Sequence, residues 1–488
     1  MADERAGMVE RPDFGTDTDP RFYNEDIAPT RLEQRTWDKW HIAALWVGMS
    51  VCVPTYMLAA SLIDSGMSWT QAIGTVFLAN LLVLIPMILN AHAGTKYGIP
   101  FPVYCRTAFG LIGANVPALM RGLVACGWFG IQTWIGGNAL YTLLIALGAG
   151  WDPAPPTPNG PQFGCFFAFW LLNMAIVWRG IDSIKTLEKW GAPFLLMIGA
   201  ALLGWAYVRA EGFGPMLSQP SKLTTWGQFW AAFAPGLTAN VAFWATLSLN
   251  IPDFTRYARS QKDQMLGQAL GLPPTMTAFA FIGVAVTSAT VVIFGEPIWD
   301  PIVLSGRIGE GRPLVVVIAM LAFAVATLTT NLAANVVSPA NDFSHLAPRY
   351  VSFRTGGMIT GLLGICVMPW KLLADSSTYI FTWLGGYGSL LGSIGGILLV
   401  EYWMVQRGTI KLQDLYREGG YYPNWRPSAL AAFFLGAAPC VPGFLHSVGL
   451  LSSCPQILLD LYGFSVFVSF GTAALLYLAL SWSRRHNA

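Results

Sequence analysis

Residues 46–57 read WVGMSVCVPTYM. The run is apolar, yet Gly48 and Pro54 interrupt it. Proline lacks a backbone donor and clashes with the preceding helical turn. If this segment crosses a bilayer, the freed backbone groups must line a cavity or the protein interior, because lipid cannot satisfy them. A second stretch has the same character. Residues 233–254 read FAPGLTANVAFWATLSLNIPDF, with Pro235-Gly236 and then Asn240 inside an apolar run. Everything turns on whether these two segments cross a membrane and how many crossings separate them.

Composition answers the first question. Of 488 residues, 54% are hydrophobic and 11% charged, with a mean hydropathy of +0.51. Soluble domains carry about 25% charged residues. Apolar runs long enough to span a bilayer recur over about 40–62, 70–92, 113–147, 163–181, 190–209, 229–250, 268–294, 312–338, 355–372, 377–403, 428–447 and 458–482. The twelve spans are tested by loop charge. With the N-terminus inside, 23 of the 28 lysines and arginines fall on inward loops and ends. The other five, Arg209, Lys222, Arg307, Arg312 and Lys371, fall outside. That asymmetry follows the positive-inside rule and places both termini in the cytoplasm. The first 39 residues are polar and lack the apolar core of a signal peptide. The seven cysteines have no CxxC spacing and read as small buried hydrophobes.

The interrupted runs are therefore the first and sixth spans, five apart. Breaks at corresponding positions of two inverted five-helix repeats mark the midplane site of a secondary transporter. Two further stretches carry polar groups at depth. GWFGIQTW (127–134) places Trp128 and Gln132 four residues apart on one face of the third span, with Gly127 and Gly130 permitting close approach. Trp134 points elsewhere, to lipid or a neighbouring helix. An indole face beside an amide suits a flat ring bearing NH–C=O groups. AVATLTTNLAANVVSPAND (324–342) gathers Thr329, Thr330, Asn331 and Asn335 in the eighth span. Their neutral oxygens suit a monovalent cation. The spans show almost no Asp or Glu, with Glu401 and Asp253 at helix edges, so no proton relay is evident and Na+ is favoured over H+. Each stretch also has an ordinary structural reading, since aromatics pack and Thr and Asn join membrane helices.

Several ordered motifs carry a resemblance over nearly the whole chain. They are NEDIAPT with RTW (24–37), AALWVGM (43–49), WFGIQTWIGG (128–137), NIPDFTRYARS (250–260), TTNLAANVVSPA (329–340), MPWKLL (368–373) and EYWMVQRG (401–408). The chain resembles the nucleobase:cation symporter family, which includes hydantoin, allantoin, uracil and cytosine permeases. The resemblance implies an all-α polytopic membrane protein of twelve transmembrane helices with a LeuT-like 5+5 inverted repeat plus two C-terminal helices. Its divisions would be a cytoplasmic tail (1–39), the repeats (40–209 and 210–403), a cytoplasmic loop (404–427) and the C-terminal helices with a short tail (428–488).

By motif position, the resemblance implies that Trp128 and Trp244 stack on the two faces of the substrate. Gln132 and Asn335 would read its polar edges. The Na+ site would use the hydroxyls of Thr329 and Thr330 and the carbonyls of Gly48, Val51 and Ala326. Two positions depart from the hydantoin type: Cys52 replaces a glutamine beside the site, and Phe243 replaces a glycine. Both bear on which ring is carried. The expected activity is import of a planar nucleobase or cyclic ureide (uracil, allantoin, hydantoin or a dihydropyrimidine) through the cytoplasmic (inner) membrane, coupled to Na+ as the only cofactor. The expected partners are that heterocycle and the bilayer, with no nucleic acid and a monomer sufficient. The alternatives are an H+-coupled permease of the same fold for cytosine or another nucleobase, a membrane enzyme acting on such rings, and a sensor without transport. The enzyme would need a nucleophile–base pair or metal cluster that the spans do not display.

Overall fold

A computed structural model describes residues 7–12, 19–179 and 181–482; for residues 181–192, 353 and 381 it describes the backbone only. Of the charge map above, Arg5, Arg484 and Arg485, the end RRHNA, and the side chains of Lys185 and Lys189 lie outside what is described. Among the described residues the chain is helical, with one isolated bridge between Trp37 and Ala258.

The first span is α1 (Lys39–Ser50) and α2 (Val53–Asp64), bent by 60°. Next come the long α3 (Trp69–Tyr97), the short α4 (Phe101–Phe109), and the long α5 (Asn115–Ala146), α6 (Gly160–Arg179) and α7 (Ile181–Arg209). After the short α8 (Phe213–Leu217) the order returns. A broken span is made by α9 (Trp226–Phe243), α10 (Ala245–Asn250) and α11 (Pro252–Thr255), bent by 40°. Then follow the long α12 (Gln261–Phe294), the short α13 (Pro301–Ile308) and α14 (Pro313–Asn335), which runs on as α15 (Val337–Leu346). The repeat closes with α16 (Phe353–Cys366), the small α17 (Pro369–Leu372) and a tenth span. That span is α18 (Gly385–Leu399) flanked by π-helical turns at Thr378–Leu384 and Val400–Val405. Broken, long, short, long is thus repeated, and an odd number of crossings per repeat inverts the second against the first. The C-terminal pair is α19 (Pro427–Ala437) with α20 (Val441–Ser447), then α21 (Gln456–Gly463) with α22 (Ser465–Leu480).

Side-chain caps set several starts. Asp38 accepts from the backbone of Trp40 and His41 at α1, and Ser68–Gln71 and Thr225–Gln228 form capping boxes at α3 and α9. Gly98 ends α3 at φ +72°, where a Cβ would lie 2.5 Å from the Arg35 guanidinium.

Among the described residues, six helices, or up to nine spans if each bent pair is one span, are long and apolar enough to cross a bilayer. The remaining three of the twelve expected are α5, α7 and α16. The polar and glycine-rich middle of α5 dilutes its hydropathy, α7 has its side chains described only over Pro193–Arg209, and α16 has 14 residues. The tenth span is 83% buried and central, whereas α6 is 33% buried and peripheral.

Three expected details are corrected. Gly48 does not break the first span but sits inside α1; the helix stops at Val51–Cys52, and Pro54 falls in the first turn of α2, where its missing donor costs nothing. Pro235, Gly236 and Asn240 do not break the sixth span, because α9 runs through them; the break is at Trp244. The twelfth run is not straight but turns by 90° at Phe464.

One end of the bundle is closed by chain segments 19–38 and 404–427. Arg106, 1% exposed, donates to the carbonyls of Phe22 (2.8 Å) and Leu415 (2.7 Å) and to His345 Nε2 (3.0 Å). The Tyr416 hydroxyl donates to Ile27 O, and Arg35 to Thr30 O and Val9 O. Arg35, Arg106, Arg256 and Arg426 all gather here as buried groups rather than in open loops. To the edge carboxylates Glu401 and Asp253 the structure adds one that was not expected. Asp342, on the helix that continues the eighth span, is fully buried and accepts from Arg121 Nη1 at 2.6 Å. Glu401, in the last turns of the tenth span, accepts from Arg426 (2.7 Å) and the Tyr477 hydroxyl (2.8 Å). Polar partners make each burial tolerable.

Candidate substrate and cation site

The two broken spans flank the candidate site. At the first break, the chain turns tightly at Val51 (φ −84°, ψ 83°) and is extended at Cys52 (φ −145°, ψ 157°). A regular helix would take Gly48 C=O with Cys52 N–H and Val51 C=O with Thr55 N–H. Here Cys52 N–H bonds Ser50 O and Thr55 N–H bonds Cys52 O. The break thus withdraws the helical donors from the Gly48 and Val51 carbonyls, two of the cation ligands that the resemblance implies. Cys52 caps the start of α2 and its sulfur lies 3.2 Å from the Thr55 hydroxyl. Its polar contact is local.

At the second break, Trp244 (φ −95°, ψ 2°) separates α9 from α10. Its ring packs edge-on against Trp46 of α1 (5.3 Å) and Phe243 (4.9 Å). Its Nε1–H donates to Asn80 Oδ1 of α3 at 3.0 Å. Phe243 in turn meets Trp128 edge-to-face at 5.0 Å, 75°. Phe243 therefore stands between the two indoles in this conformation. Trp128 is also bordered by Tyr379 (6.2 Å), Trp383 (5.9 Å) and Tyr387 (6.4 Å) of the tenth span. The Tyr379 hydroxyl and the Trp383 Nε1–H are buried without a hydrogen-bond partner. This wall of the box was not anticipated. Its signal was the spacing of Tyr379, Trp383 and Tyr387 four residues apart, which also describes ordinary packing.

The α5 glycines serve helices rather than a ligand. A Cβ on Gly127 would lie 2.1 Å from the Trp383 ring, and one on Gly130 2.2 Å from Gly364 O of α16. Trp134 packs on Phe163, Phe166 and Trp370 rather than on lipid.

Gln132, 5% exposed, accepts at Oε1 from the Thr330 hydroxyl at 2.9 Å. The same hydroxyl lies 3.0 Å from Ala326 O and 3.3 Å from Thr327 O. The Thr329 hydroxyl donates to Ala326 O at 2.8 Å. Ala326, Thr329 and Thr330 are thus one cluster, and Gln132 touches it. Helix α1, which supplies Gly48, packs against α14. Asn335 closes α14; its Nδ2 donates to Asn331 Oδ1 (3.1 Å), and Asn331 donates to Thr133 Oγ1 (3.2 Å) and Asn173 Oδ1 (3.3 Å). The amide chain runs from α14 to α5 and α6.

The structure therefore assembles two groups joined at α5: Trp128–Phe243–Trp244, and Gln132–Thr330–Ala326–Thr329. All these side chains are at most 7% exposed. Two roomy cavities lie elsewhere. One of about 740 Å³ is bounded by α9, the start of the tenth span and α20–α21. Another of about 640 Å³ is an apolar crevice between α3, α18 and α22. Among the described residues no three His, Cys, Asp or Glu side chains converge as metal ligands.

Known proteins share both the sequence pattern and the fold. Residues 29–469 match the family model described as permease for cytosine/purines, uracil, thiamine, allantoin. A purine-uracil permease of Arabidopsis thaliana is 48% identical over 468 residues, covering 94% of this chain and 78% of the relative. An allantoin permease of Bacillus subtilis is 38% identical, covering 94% and 93%. Among solved structures, Mhp1, a nucleobase-cation-symport-1 family transporter in a closed conformation with bromovinylhydantoin bound, superposes with a TM-score of 0.77 at 24% identity, covering 96% of both chains.

Proposed function

Because the chain belongs to the family of permeases for cytosine/purines, uracil, thiamine and allantoin, we propose that it is a sodium-coupled symporter. Its cargo is a planar nucleobase or cyclic ureide, carried by alternating access. Uracil and allantoin head the candidates, being named for relatives at 48% and 38% identity. The observation that carries the reading is the buried junction of the two helix breaks, where an aromatic box around Trp128 adjoins the Gln132 amide and the Thr330 hydroxyl.

Each part has a physical role. Trp128 offers one stacking face, and Phe243 and Trp244 form the opposing wall. Stacking a base-like ring on an aromatic is worth about 1–3 kcal/mol. Gln132 and Asn335 supply amides to the ring's edges, each neutral hydrogen bond netting about 0.5–1.5 kcal/mol. Sodium would sit among Gly48 O, Val51 O, Ala326 O and the Thr329 and Thr330 hydroxyls, joining the broken first span to the eighth. A cation held there favours the state in which those spans are together. A ring that prefers the same state then binds more tightly, and the effect is reciprocal. The repeats 40–209 and 210–403 move against each other around this point. The protein lies in the cytoplasmic membrane with both termini inside and needs no other cofactor.

One observation favours a proton-coupled alternative. Asp342 and Asp253 are buried near the sealed end, Asp342 beside Arg121 and Asp253 accepting from the Ser338 hydroxyl at 2.6 Å. Uptake of labelled uracil and allantoin into proteoliposomes separates the two. Sodium coupling gives accumulation driven by an inward sodium gradient at equal pH. Accumulation driven only by an inward proton gradient selects the alternative, and no accumulation of any ring removes both.

A further inference from the structure

The Thr330 hydroxyl has one proton and three acceptors within reach: Gln132 Oε1 at 2.9 Å, Ala326 O at 3.0 Å and Thr327 O at 3.3 Å. Two of these are carbonyls of its own helix, and the third is a side chain on α5. Which acceptor takes the proton depends on what else occupies the Ala326 carbonyl. We propose that the Thr330–Gln132 hydrogen bond is the wire between cation and substrate, fixing which face of the Gln132 amide the substrate meets.

The inference rests on the reading above, in which Ala326 O and the Thr330 oxygen are cation ligands. With no cation, the hydroxyl can bond back to Ala326 O, as serines and threonines in helices commonly do. The Gln132 amide is then free to present either end. A cation lying on both Ala326 O and Thr330 Oγ1 excludes a proton from the space between them. The proton must turn to Gln132 Oε1, and the cation's field makes that hydroxyl a stronger donor. The Thr329 hydroxyl bonds back to Ala326 O at 2.8 Å, within its own helix, and carries no such signal to α5. With Oε1 held by the Thr330 hydroxyl the amide cannot flip, and its NH2 is the end turned to the substrate. The cation-loaded site therefore selects a ring with a carbonyl acceptor at this edge and rejects one with a donor there. A rejected ring leaves the amide's buried donors unpaired, which discriminates strongly.

The test uses the purified full chain, with the dissociation constants of uracil and allantoin measured by tryptophan fluorescence without sodium and at saturating sodium. The ratio of the two constants is the coupling factor. Saturation in each variant is set by the sodium-induced rise in Tm, which also reports that the variant is folded. The wild type is expected to show a factor of about five or more, the lower range of allosteric coupling. In Gln132→Met, whose cation ligands are intact, the factor falls at least about twofold, leaving only what the joining of the first and eighth spans supplies, while the Tm rise persists. Thr330→Val gives the same loss at higher sodium. Thr330→Ser keeps the hydroxyl and the factor, and Thr329→Val shifts the sodium needed but keeps the factor. A factor that falls by less in Gln132→Met, or is lost in Thr330→Ser, overturns the wire and leaves the transporter reading standing. A wild type whose ring binding ignores sodium overturns the cation reading and the wire together.

Discussion

The indole Nε1–H of Trp244 donates to Asn80 Oδ1 across 3.0 Å, so the residue at which the sixth span breaks is held by the second. Asn80 is wholly buried, and its own Nδ2 is anchored on Val76 O at 2.7 Å. The bond fixes both the orientation of the indole and the place of the break. Asn80→Ala leaves a buried donor unpaired, a cost of about 1–3 kcal/mol. The expected result is a lower Tm and ring affinity weakened about tenfold or more, read by fluorescence titration. Unchanged affinity would show that Trp244 needs no such anchor.

Phe243 fills the space between Trp128 and Trp244, 5.0 Å and 4.9 Å from their rings. Phe243→Ala opens that space. An edge-to-face ring pair is worth about 0.5–1.5 kcal/mol, and the substitution removes two of them, so stability falls. Selectivity should move toward larger, bicyclic rings. Competition of xanthine or hypoxanthine against uracil measures this, and a constant ratio would remove Phe243 from the selectivity account.

Arg121 and Asp342 are joined by a single bond of 2.6 Å, with Arg121 Nε and Asp342 Oδ1 buried and unpartnered. Removing one partner of such a pair costs about 3–5 kcal/mol, whereas replacing both by apolar groups is often neutral or stabilising. Arg121→Met and Asp342→Leu should each lower the Tm. The double variant should recover most of the loss. A double variant that melts as low as the singles would mean that the pair has further polar duties.

Asn335 donates to Asn331, which leads on to Thr133 and Asn173. If its amide reads the ring, Asn335→Ala changes the order of affinities among uracil, allantoin, hydantoin and cytosine. An equal loss across all four would make it a packing residue of the amide chain.

The fold was largely legible because bilayer physics leaves a coarse record: apolar runs, and charges gathered at one end. The sequence showed which spans are broken, but not the residues at which they break or the cause. Pro54 and Pro235 drew attention, yet Pro235 lies inside α9 and the break falls at Trp244, a residue with no breaking propensity. Its break is held by tertiary contacts with Asn80 and Trp46, which span long stretches of sequence. The same limit hid Asp342. The motif that contains it was in view, but its partner Arg121 is 221 residues away. For the site, i, i+4 spacing placed Trp128 and Gln132 on one face of α5. It could not show that Gln132 meets Thr330, or that Phe243 stands between the indoles, because both depend on how α5 packs against other spans.

The most direct measurement is ring binding by quenching of tryptophan fluorescence in the wild type and in Trp128→Phe and Trp128→Ala. The account predicts saturable quenching by uracil or allantoin that sodium tightens. Trp128→Phe should keep roughly micromolar binding. Trp128→Ala should lose about tenfold or more, the equivalent of a stack worth about 1–3 kcal/mol, while its Tm still shows a folded protein. Equal affinity in the wild type and Trp128→Ala would contradict the account, because the ring would then be bound somewhere other than the box at the helix breaks.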